Sequence, residues 1–337
     1  MYSRVVRDQA YQERLVTFLR DAYGLPVAAV QPAARGFFAE TWQATTLAGE
    51  RYFVKADHSP SHQGRFEASL PVVDHLIRHG IGFIPRPVWT AHGDLSCRMD
   101  GAVIAVFEWI DGANVETDET KPLEYALLAQ VYAVPADGLA LPVEDFAGAS
   151  ADDVHRLWRQ LEWRSRDQGN EDDQSALGML NRVREALAGR ANRLQHVAGL
   201  CQPDRSGFRI THGDAGGNLL LDSSRYAIVD WDEAMYAPPE RDAWVMCCRD
   251  RPNRQWAQDL FEGALRTGDV PYALRPERLA YYAYSQYFFY LAEILQAYLD
   301  TGNPGRVATY LAGADTWGDA WITECLRYAD TLGGRAN

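Results

Sequence analysis

Three things are scarce in this chain of 337 residues: cysteine, long apolar runs and positive charge. The five cysteines are odd in number, two are adjacent, and none has the spacing of a metal-ligand pair, which predicts reduced thiols in a cytoplasmic protein. No stretch approaches the ~20 consecutive apolar residues that span a bilayer, and the N-terminus lacks the apolar core of a signal peptide. We therefore expect no membrane partner.

Acidic residues outnumber basic ones by 46 to 33, which gives a formal net charge of -13. Such a chain repels nucleic acid, so no nucleic-acid partner is expected, and it attracts cationic ligands into clefts. A nucleotide triphosphate would also be repelled, so a nucleotide site would need a local lysine and metal ions. The hydrophobic content of 47% predicts a sizeable core rather than disorder.

The order of the sequence patterns predicts two lobes of different class. Short aromatic and β-branched runs between Val27 and Trp109 predict five strands with one inserted helix, and a helix over 8–23 precedes them. After Trp109 the pattern becomes mainly helical, interrupted by a strand–loop–strand segment at 208–230. Further helices are predicted at 62–79, 122–133, 150–167, 173–198 and from about 240 to 332.

We therefore predict an α+β fold of the bilobal, protein-kinase-like kind. A small N-terminal antiparallel-sheet lobe would bind a nucleotide over 1–109, and 110–114 would be the hinge. A larger, mainly helical C-terminal lobe over 115–337 would carry the catalytic and substrate-binding residues.

The most informative segment is Ile210–Asn218, with the sequence ITHGDAGGN, followed by Asp230 at the end of the next apolar run. Phosphoryl transfer needs a carboxylate that orients a hydroxyl and oxygen ligands that hold magnesium on the phosphates. Asp214 fits the first role, and Asn218 and Asp230 fit the second. A hairpin whose Asp and Asn serve turns is the alternative. The combination of the loop with a strand that ends in Asp230 favours the catalytic interpretation.

His212 is open to two interpretations. A metal ligand or a general base is one, but no second ligand lies at a usable spacing. The other, which we favour, is a structural histidine whose ring ties the loop to the backbone near Asp230.

Lys55 lies in the strand pattern Tyr52–Ala56, which would bury its ammonium, and a buried lysine needs a partner. Glu67, in the following helix, is the predicted partner, and the pair would aim the ammonium at nucleotide phosphates. Asp57 and Asp74 are rival partners.

Other nucleotide contacts are predicted from position alone. Gly36 lies between the first two strands, where a loop would cover the phosphates, although an ordinary hairpin turn explains it nearly as well. Phe107 and Trp109 end the last strand of the small lobe, where apolar side chains would sandwich a nucleobase.

These motifs resemble the aminoglycoside phosphotransferase family, relatives of choline kinases and protein kinases, and are most similar to its spectinomycin phosphotransferase branch. The resemblance is carried by VK at 54–55, HGD at 212–214, NLL at 218–220 and IVDWDEAMYAPPERD at 228–242. It implies transfer of a phosphoryl group from ATP or GTP to a substrate hydroxyl, with Mg²⁺ as cofactor. It also implies structural roles for Glu240, Arg241 and Asp242.

One departure from the family pattern concerns the loop length. The family places four residues between the catalytic aspartate and the asparagine, whereas Ala215, Gly216 and Gly217 are three. The deletion would rotate Asn218 away from the metal unless the two glycines compensate, and both outcomes are open at this stage.

The acceptor side is less specified. Family acceptors lie between the catalytic loop and the C-terminal helices, which makes Asp232 and Glu233 candidates. A polar and aromatic stripe on the helix at about 276–300 adds Gln286, Phe289 and Glu293, although a half-solvated face explains that stripe equally well. The aromatic middle of this helix suits sugar faces or a nucleoside base better than a polycation.

The function predicted is phosphorylation of a small-molecule antibiotic, such as an aminoglycoside or aminocyclitol, for resistance or self-protection. The acceptor would be cationic or nucleoside-like. Two alternatives are a metabolite kinase of the same fold, acting on choline, homoserine or a sugar, and an inactive nucleotide-binding protein disabled by the short loop.

Overall fold

A computed structural model of the chain describes residues 7–34, 39–60, 62–115, 117–222, 225–248, 254–302, 307 and 327–331. Its backbone contacts divide the chain into two compact units. Unit 1 comprises Met1–Val143 and Arg209–Tyr236, and unit 2 comprises Glu144–Phe208 and Ala237–Asn337. The functional lobes 1–109 and 115–337, with their hinge, stay a prediction. Within the described residues, none of the helices has the length and hydropathy needed to cross a bilayer.

Unit 1 begins with a helix and a sheet. Its elements, numbered along the whole chain, are α1 (Gln9–Tyr23), β1 (Val27–Pro32), β2 (Ala39–Thr46), β3 (Arg51–Asp57), α2 (Gln63–Arg78), β4 (Pro87–Val88), β5 (Cys97–Met99), β6 (Ala102–Glu108), β7 (Ala113–Asn114), α3 (Lys121–Tyr132), β8 (Arg209–Thr211), β9 (Leu219–Leu221), β10 (Tyr226–Ile228) and β11 (Met235–Ala237).

The main sheet of unit 1 is antiparallel throughout and has the order β1-β2-β3-β6-β4, with β5 paired to β6. Successive side chains along β3 and β6 point to opposite faces of this sheet, and both faces are buried. Val54 and Ile104 pack on one face with Leu15 of α1, whereas Val103 and Ala105 pack on the other with Phe66 of α2. Lys55, between Val54 and Ala56, lies opposite Ala105 in the register and therefore on the α2 face.

The sequence located most elements of unit 1 within a few residues, but among the residues that the structure describes the main sheet has six strands rather than five. The additional strand is β1, at the start of the stretch that the strand pattern marks. Two strands of this sheet are short, since β4 has two residues and β5 has three. Asp100 and Gly101 form the hairpin turn between β5 and β6 with φ of 50° and 81°, the left-handed conformation that two-residue hairpins require.

Unit 2 is helical within its described residues. Its helices are α4 (Ala149–Gln168), α5 (Glu171–Arg182), α6 (Arg184–Cys201), α7 (Glu240–Cys247), α8 (Arg254–Thr267) and α9 (Pro276–Thr301). The single helix predicted at 173–198 is wrong, because the chain breaks at Val183, where φ is -105° and ψ is 8°. No glycine or proline marks this break, so the helical spacing of apolar residues continues across it and predicts one helix.

Close packing in unit 2 makes Gly207 intolerant of a side chain. Its φ is 74°, and a Cβ there would lie 2.2 Å from the ring of Tyr272, whose hydroxyl donates to buried Glu240. We expect Gly207→Ala to lower the free energy of unfolding by about 1–3 kcal/mol, measured by urea denaturation. Gly199→Ala, in open space on α6, is the control and should raise it by about 0.5–1 kcal/mol. Equal effects of the two changes would contradict the packing argument.

Glu240 at the start of α7 links stability to pH. The residue is fully buried and accepts hydrogen bonds from the hydroxyl of Tyr272 at 2.7 Å and the backbone N–H of Arg275 at 2.6 Å. Burial raises its pKa from 4.5 to about 7, although these hydrogen bonds oppose the rise. Arg241 and Asp242 are also buried, in keeping with the structural role that the resemblance implies.

A raised carboxyl pKa means that the folded chain binds more protons than the unfolded chain between pH 4.5 and 7. The free energy of unfolding should therefore fall as pH rises through this window, by roughly 3 kcal/mol from Glu240. Glu240→Gln should remove that part of the slope when urea unfolding is compared at pH 5 and pH 8. Glu185→Gln, at an exposed position of α6, should leave the slope as it is. A wild-type slope in Glu240→Gln would refute the assignment.

Candidate active site

The hairpin of β9 and β10 brings two of the predicted residues to one end of a small sheet. Leu219 pairs with Ile228, and one step further the N–H of Val229 donates to the carbonyl of Asn218 at 3.0 Å. Asp230 therefore follows β10 at the same end where Asn218 precedes β9. Asp230 has a φ of 66°, a left-handed conformation that aspartate tolerates better than most residues.

The loop from His212 to Asn218, called the catalytic loop below, is held by its own side chains. Nε2 of His212 lies 2.8 Å from the carbonyl oxygen of Val229, and its Nδ1 accepts the N–H of Asp214 at 3.1 Å. The predicted structural role of His212 is thus confirmed. Asn218 donates its amide N–H to the backbone oxygen of Asp214 at 2.8 Å and to its Oδ2 at 3.1 Å. Asp214 and Asn218 are therefore in contact despite the short loop.

Lys55 lies against this end of the hairpin. Its Nζ is 2.5 Å from Oδ1 of Asp230 and 2.5 Å from Oδ2 of Asp232, and it stands 5.5 Å from the ring centre of Phe66. The side chain is only 10% exposed, so its ammonium depends on these two carboxylates. A lysine from the main sheet thus meets an aspartate that follows the small sheet, a pairing that the sequence did not predict.

The charged side chains of this group shift one another's pKa values. Burial alone would lower the pKa of Lys55, but Asp230 and Asp232 outweigh it and raise the pKa. Burial likewise raises the pKa of Asp232, to about 6, and that of Asp214, to which Asp230 adds. For Asp230, Lys55 outweighs burial and lowers the pKa. Asp230 is thus the carboxylate kept ionised beside the lysine, and Asp214 is made more basic.

The predicted pair of Lys55 with Glu67 is not formed. Glu67 instead accepts two N–H groups from Arg98 of β5, at 2.9 and 3.0 Å. The rivals are also engaged elsewhere, since Asp57 binds His62 and Asp74 binds Arg78. Lys55 takes its partners from beyond β10, which leaves Glu67 without a described contact to it.

Sequence reasoning missed His62 entirely. This residue is buried just before α2, with Nδ1 2.6 Å from Oδ2 of Asp57 and Nε2 3.8 Å from Oδ2 of Asp232. Glu233 lies 3.7 Å from the same Nε2 and 3.3 Å from Arg65. No local motif signals His62, because its partners Asp232 and Glu233 are distant from it in sequence. Asp232 and Glu233 thus lie in this charged group, and their predicted contact with substrate stays a prediction.

The remaining predicted residues lie elsewhere. Gly36 is outside the described residues. Phe107 pairs with Phe53 in the sheet, and the ring centre of Trp109 is 6.4 Å from that of Phe53, so the two predicted nucleobase residues flank one aromatic group. Gln286, Phe289 and Glu293 lie on α9 in unit 2 and are half-buried. A neighbouring stripe of α9 is buried, with Tyr284 and Leu291 at 1% and 0% exposure.

Magnesium suits the oxygen donors at the end of the hairpin. Asn218 uses its amide nitrogen on Asp214, so its amide oxygen is the atom that can face a cation. Asp230 meets Lys55 through Oδ1 and keeps a second carboxylate oxygen, and its side chain is 44% exposed. Mg²⁺ prefers such hard oxygen ligands and is usually held by one or two of them together with phosphates.

Comparison with known proteins agrees with this geometry. Residues 29–281 match the model of the phosphotransferase enzyme family, APH. The chain is 28% identical to Protein StrN of Streptomyces griseus over 254 residues, which cover 72% of this chain and 71% of that protein.

Among solved structures, spectinomycin phosphotransferase APH(9)-Ia in complex with ADP and spectinomycin superposes with a TM-score of 0.67 at 19% identity, over 97% of this chain and 95% of that one. A type I macrolide 2'-phosphotransferase superposes with a TM-score of 0.55 at 16% identity, over 91% of this chain and 97% of that one. The kinase-like α+β fold class is thereby confirmed. Because the family model spans most of the chain, this protein belongs to the APH phosphotransferase family and is an enzyme that transfers a phosphoryl group to a hydroxyl group.

Proposed function

We propose that this protein phosphorylates a hydroxyl of a small-molecule antibiotic, such as an aminoglycoside or aminocyclitol, at the expense of ATP or GTP. The observation that carries the proposal is one connected group in unit 1. Lys55 pairs with Asp230, and the hairpin behind Asp230 joins it to His212, Asp214 and Asn218. Resistance and self-protection are both compatible with this activity.

In this proposal Asp214 is the catalytic base. Its carboxylate orients the acceptor hydroxyl and takes its proton, and the raised pKa suits that role because it makes the carboxylate a stronger base. Lys55 binds the donor phosphates through its ammonium. Asn218 and Asp230 would hold Mg²⁺, which supplies charge neutralisation on the phosphates. Most of the rate enhancement would come from positioning and electrostatics.

The donor is supported by what related proteins bind. Solved structures that share this fold contain ADP and AMP-PNP, which favours a nucleotide donor here. Phe107 and Trp109 remain the proposed contacts of the nucleobase, with Gly36 as a further proposed nucleotide contact.

The acceptor is proposed from charge and from helix α9. The net charge of -13 favours a cationic molecule. On α9, Phe289 and Tyr290 are half-buried, whereas Tyr287 and Phe288 are buried. Half-exposed aromatic rings beside Gln286 and Glu293 would suit a sugar or nucleoside face with polar substituents.

Mass spectrometry of an acceptor panel tests the proposal. Aminoglycosides, aminocyclitols and nucleoside antibiotics would be incubated with the protein, Mg²⁺ and either ATP or GTP, beside choline, homoserine and a methylthio-sugar. We expect one antibiotic to gain a single phosphoryl group with the wild type and none with Asp214→Asn. If only a metabolite is phosphorylated, the antibiotic-kinase proposal is wrong and the metabolite-kinase alternative takes its place. Absence of both product and Mg²⁺-dependent nucleotide binding would favour the inactive alternative.

A further inference from the structure

Helix α3 carries a buried ion pair that touches the catalytic loop. Nζ of Lys121 lies 2.6 Å from Oε2 of Glu124, and the two side chains are 3% and 1% exposed. The other carboxylate oxygen, Oε1, accepts the backbone N–H of Gly216 at 3.1 Å. Glu124 thus has one oxygen on a cation and the other on the loop that carries Asp214.

The contact falls at the middle of the shortened segment. Gly216 is the second of the three residues between Asp214 and Asn218, and its φ of 114° is a conformation that residues with a Cβ rarely adopt. The next residue is held as well, because the amide of Asn114 in β7 donates to the carbonyl of Gly217. Two glycines that would otherwise leave the loop free are therefore fixed from outside it.

Stability alone gives little reason for a buried charge pair at this place. Apolar residues of similar volume often replace such pairs without loss of stability. A carboxylate fixed by a buried ammonium, in contrast, is an oriented and strong acceptor for a backbone N–H. The geometry therefore fits a role in aligning the loop better than a role in packing.

We infer that Glu124, oriented by Lys121, is a positioning residue that keeps Asp214 and Asn218 aligned in a loop one residue shorter than the family pattern. The inference rests on the proposed function for its effect on turnover. Its structural half, the fixing of Gly216, stands independently of any acceptor.

Two double variants isolate the hydrogen bond from the charges. Lys121→Met/Glu124→Gln removes both charges but keeps an amide oxygen for Gly216, and Lys121→Met/Glu124→Met removes the acceptor as well. Neither leaves a lone buried charge, so both should fold, which thermal unfolding would verify. Amide hydrogen–deuterium exchange of 209–221 measures the loop directly, and kcat and KM for the nucleotide measure its alignment.

We expect the methionine variant to exchange faster over 209–221 and to lose roughly 10- to 100-fold in kcat, with nucleotide KM nearly unchanged. The glutamine variant keeps an acceptor for the N–H of Gly216 but lacks the charges, so it should lie between the methionine variant and the wild type in both measurements, as a partial rescue by the conservative change. Equal exchange in the two variants would overturn the inference, even if no acceptor is found. Faster exchange without a difference in kcat would overturn the positioning role while leaving the proposed function intact.

Discussion

Asp214→Asn is expected to lower turnover by about 10²- to 10⁴-fold, the range usual for a lost general base. The amide keeps the shape of the side chain but does not accept the proton of the acceptor hydroxyl. Nucleotide affinity should change little, since Lys55 and Asp230 lie on other segments of the site. Steady-state kinetics with the acceptor identified by mass spectrometry, together with calorimetric nucleotide binding, would measure both quantities.

A matched carboxylate provides the control for this change. Asp153 on α4 is exposed and pairs with Arg156 one turn away, and such surface pairs contribute about 0–1 kcal/mol. Asp153→Asn should therefore leave turnover unchanged. Wild-type turnover in Asp214→Asn would remove Asp214 from the mechanism.

Lys55→Met is expected to lower kcat/KM for the nucleotide by about 10²- to 10³-fold, as for the loss of one preorganised electrostatic contact. The change removes the ammonium proposed to bind the phosphates and leaves Asp230 and Asp232 without the charge between them. Repulsion between these carboxylates and the phosphates should weaken binding further. Nucleotide binding with and without Mg²⁺ would be measured beside the kinetics.

Glu67→Gln is the control that separates two views of this lysine. Glu67 binds Arg98 in this structure, and both side chains are partly exposed, so we expect less than about a threefold change in kcat/KM. A loss as large as that of Lys55→Met would mean that Glu67 pairs with Lys55 in the nucleotide-bound enzyme. Thermal unfolding of each variant would distinguish lost binding from lost folding.

Local motifs account for what the sequence predicted correctly. The strand around Lys55, the loop around Asp214 and the strand before Asp230 each combine a buried pattern with a polar residue of defined chemistry. The contact between Lys55 and Asp230 joins segments 175 residues apart and was not predicted, because neither local pattern marks the other as its partner. His212 was predictable because its partner lies on the next strand of the same hairpin.

Contacts between distant segments account for what was missed. Glu67 was a reasonable partner by its distance along the chain, but its helix also faces Arg98, 31 residues away, and a guanidinium binds a carboxylate in two places. The contact of Glu124 with Gly216 spans 92 residues, and no pattern in either segment marks it. The break at Val183 was missed because no glycine or proline marks it.

The chain contains only two lysines, Lys55 and Lys121, and both are buried in ion pairs. An amine buried against carboxylates is closed to solvent, so amine-selective reagents would find no open lysine side chain to acylate in the folded protein. Enzymatic acetylation of lysine meets the same barrier in the folded protein. Acylation of Lys55 would therefore report that its carboxylate partners have separated from it, and acylation of Lys121 would report opening of the contact between α3 and the catalytic loop.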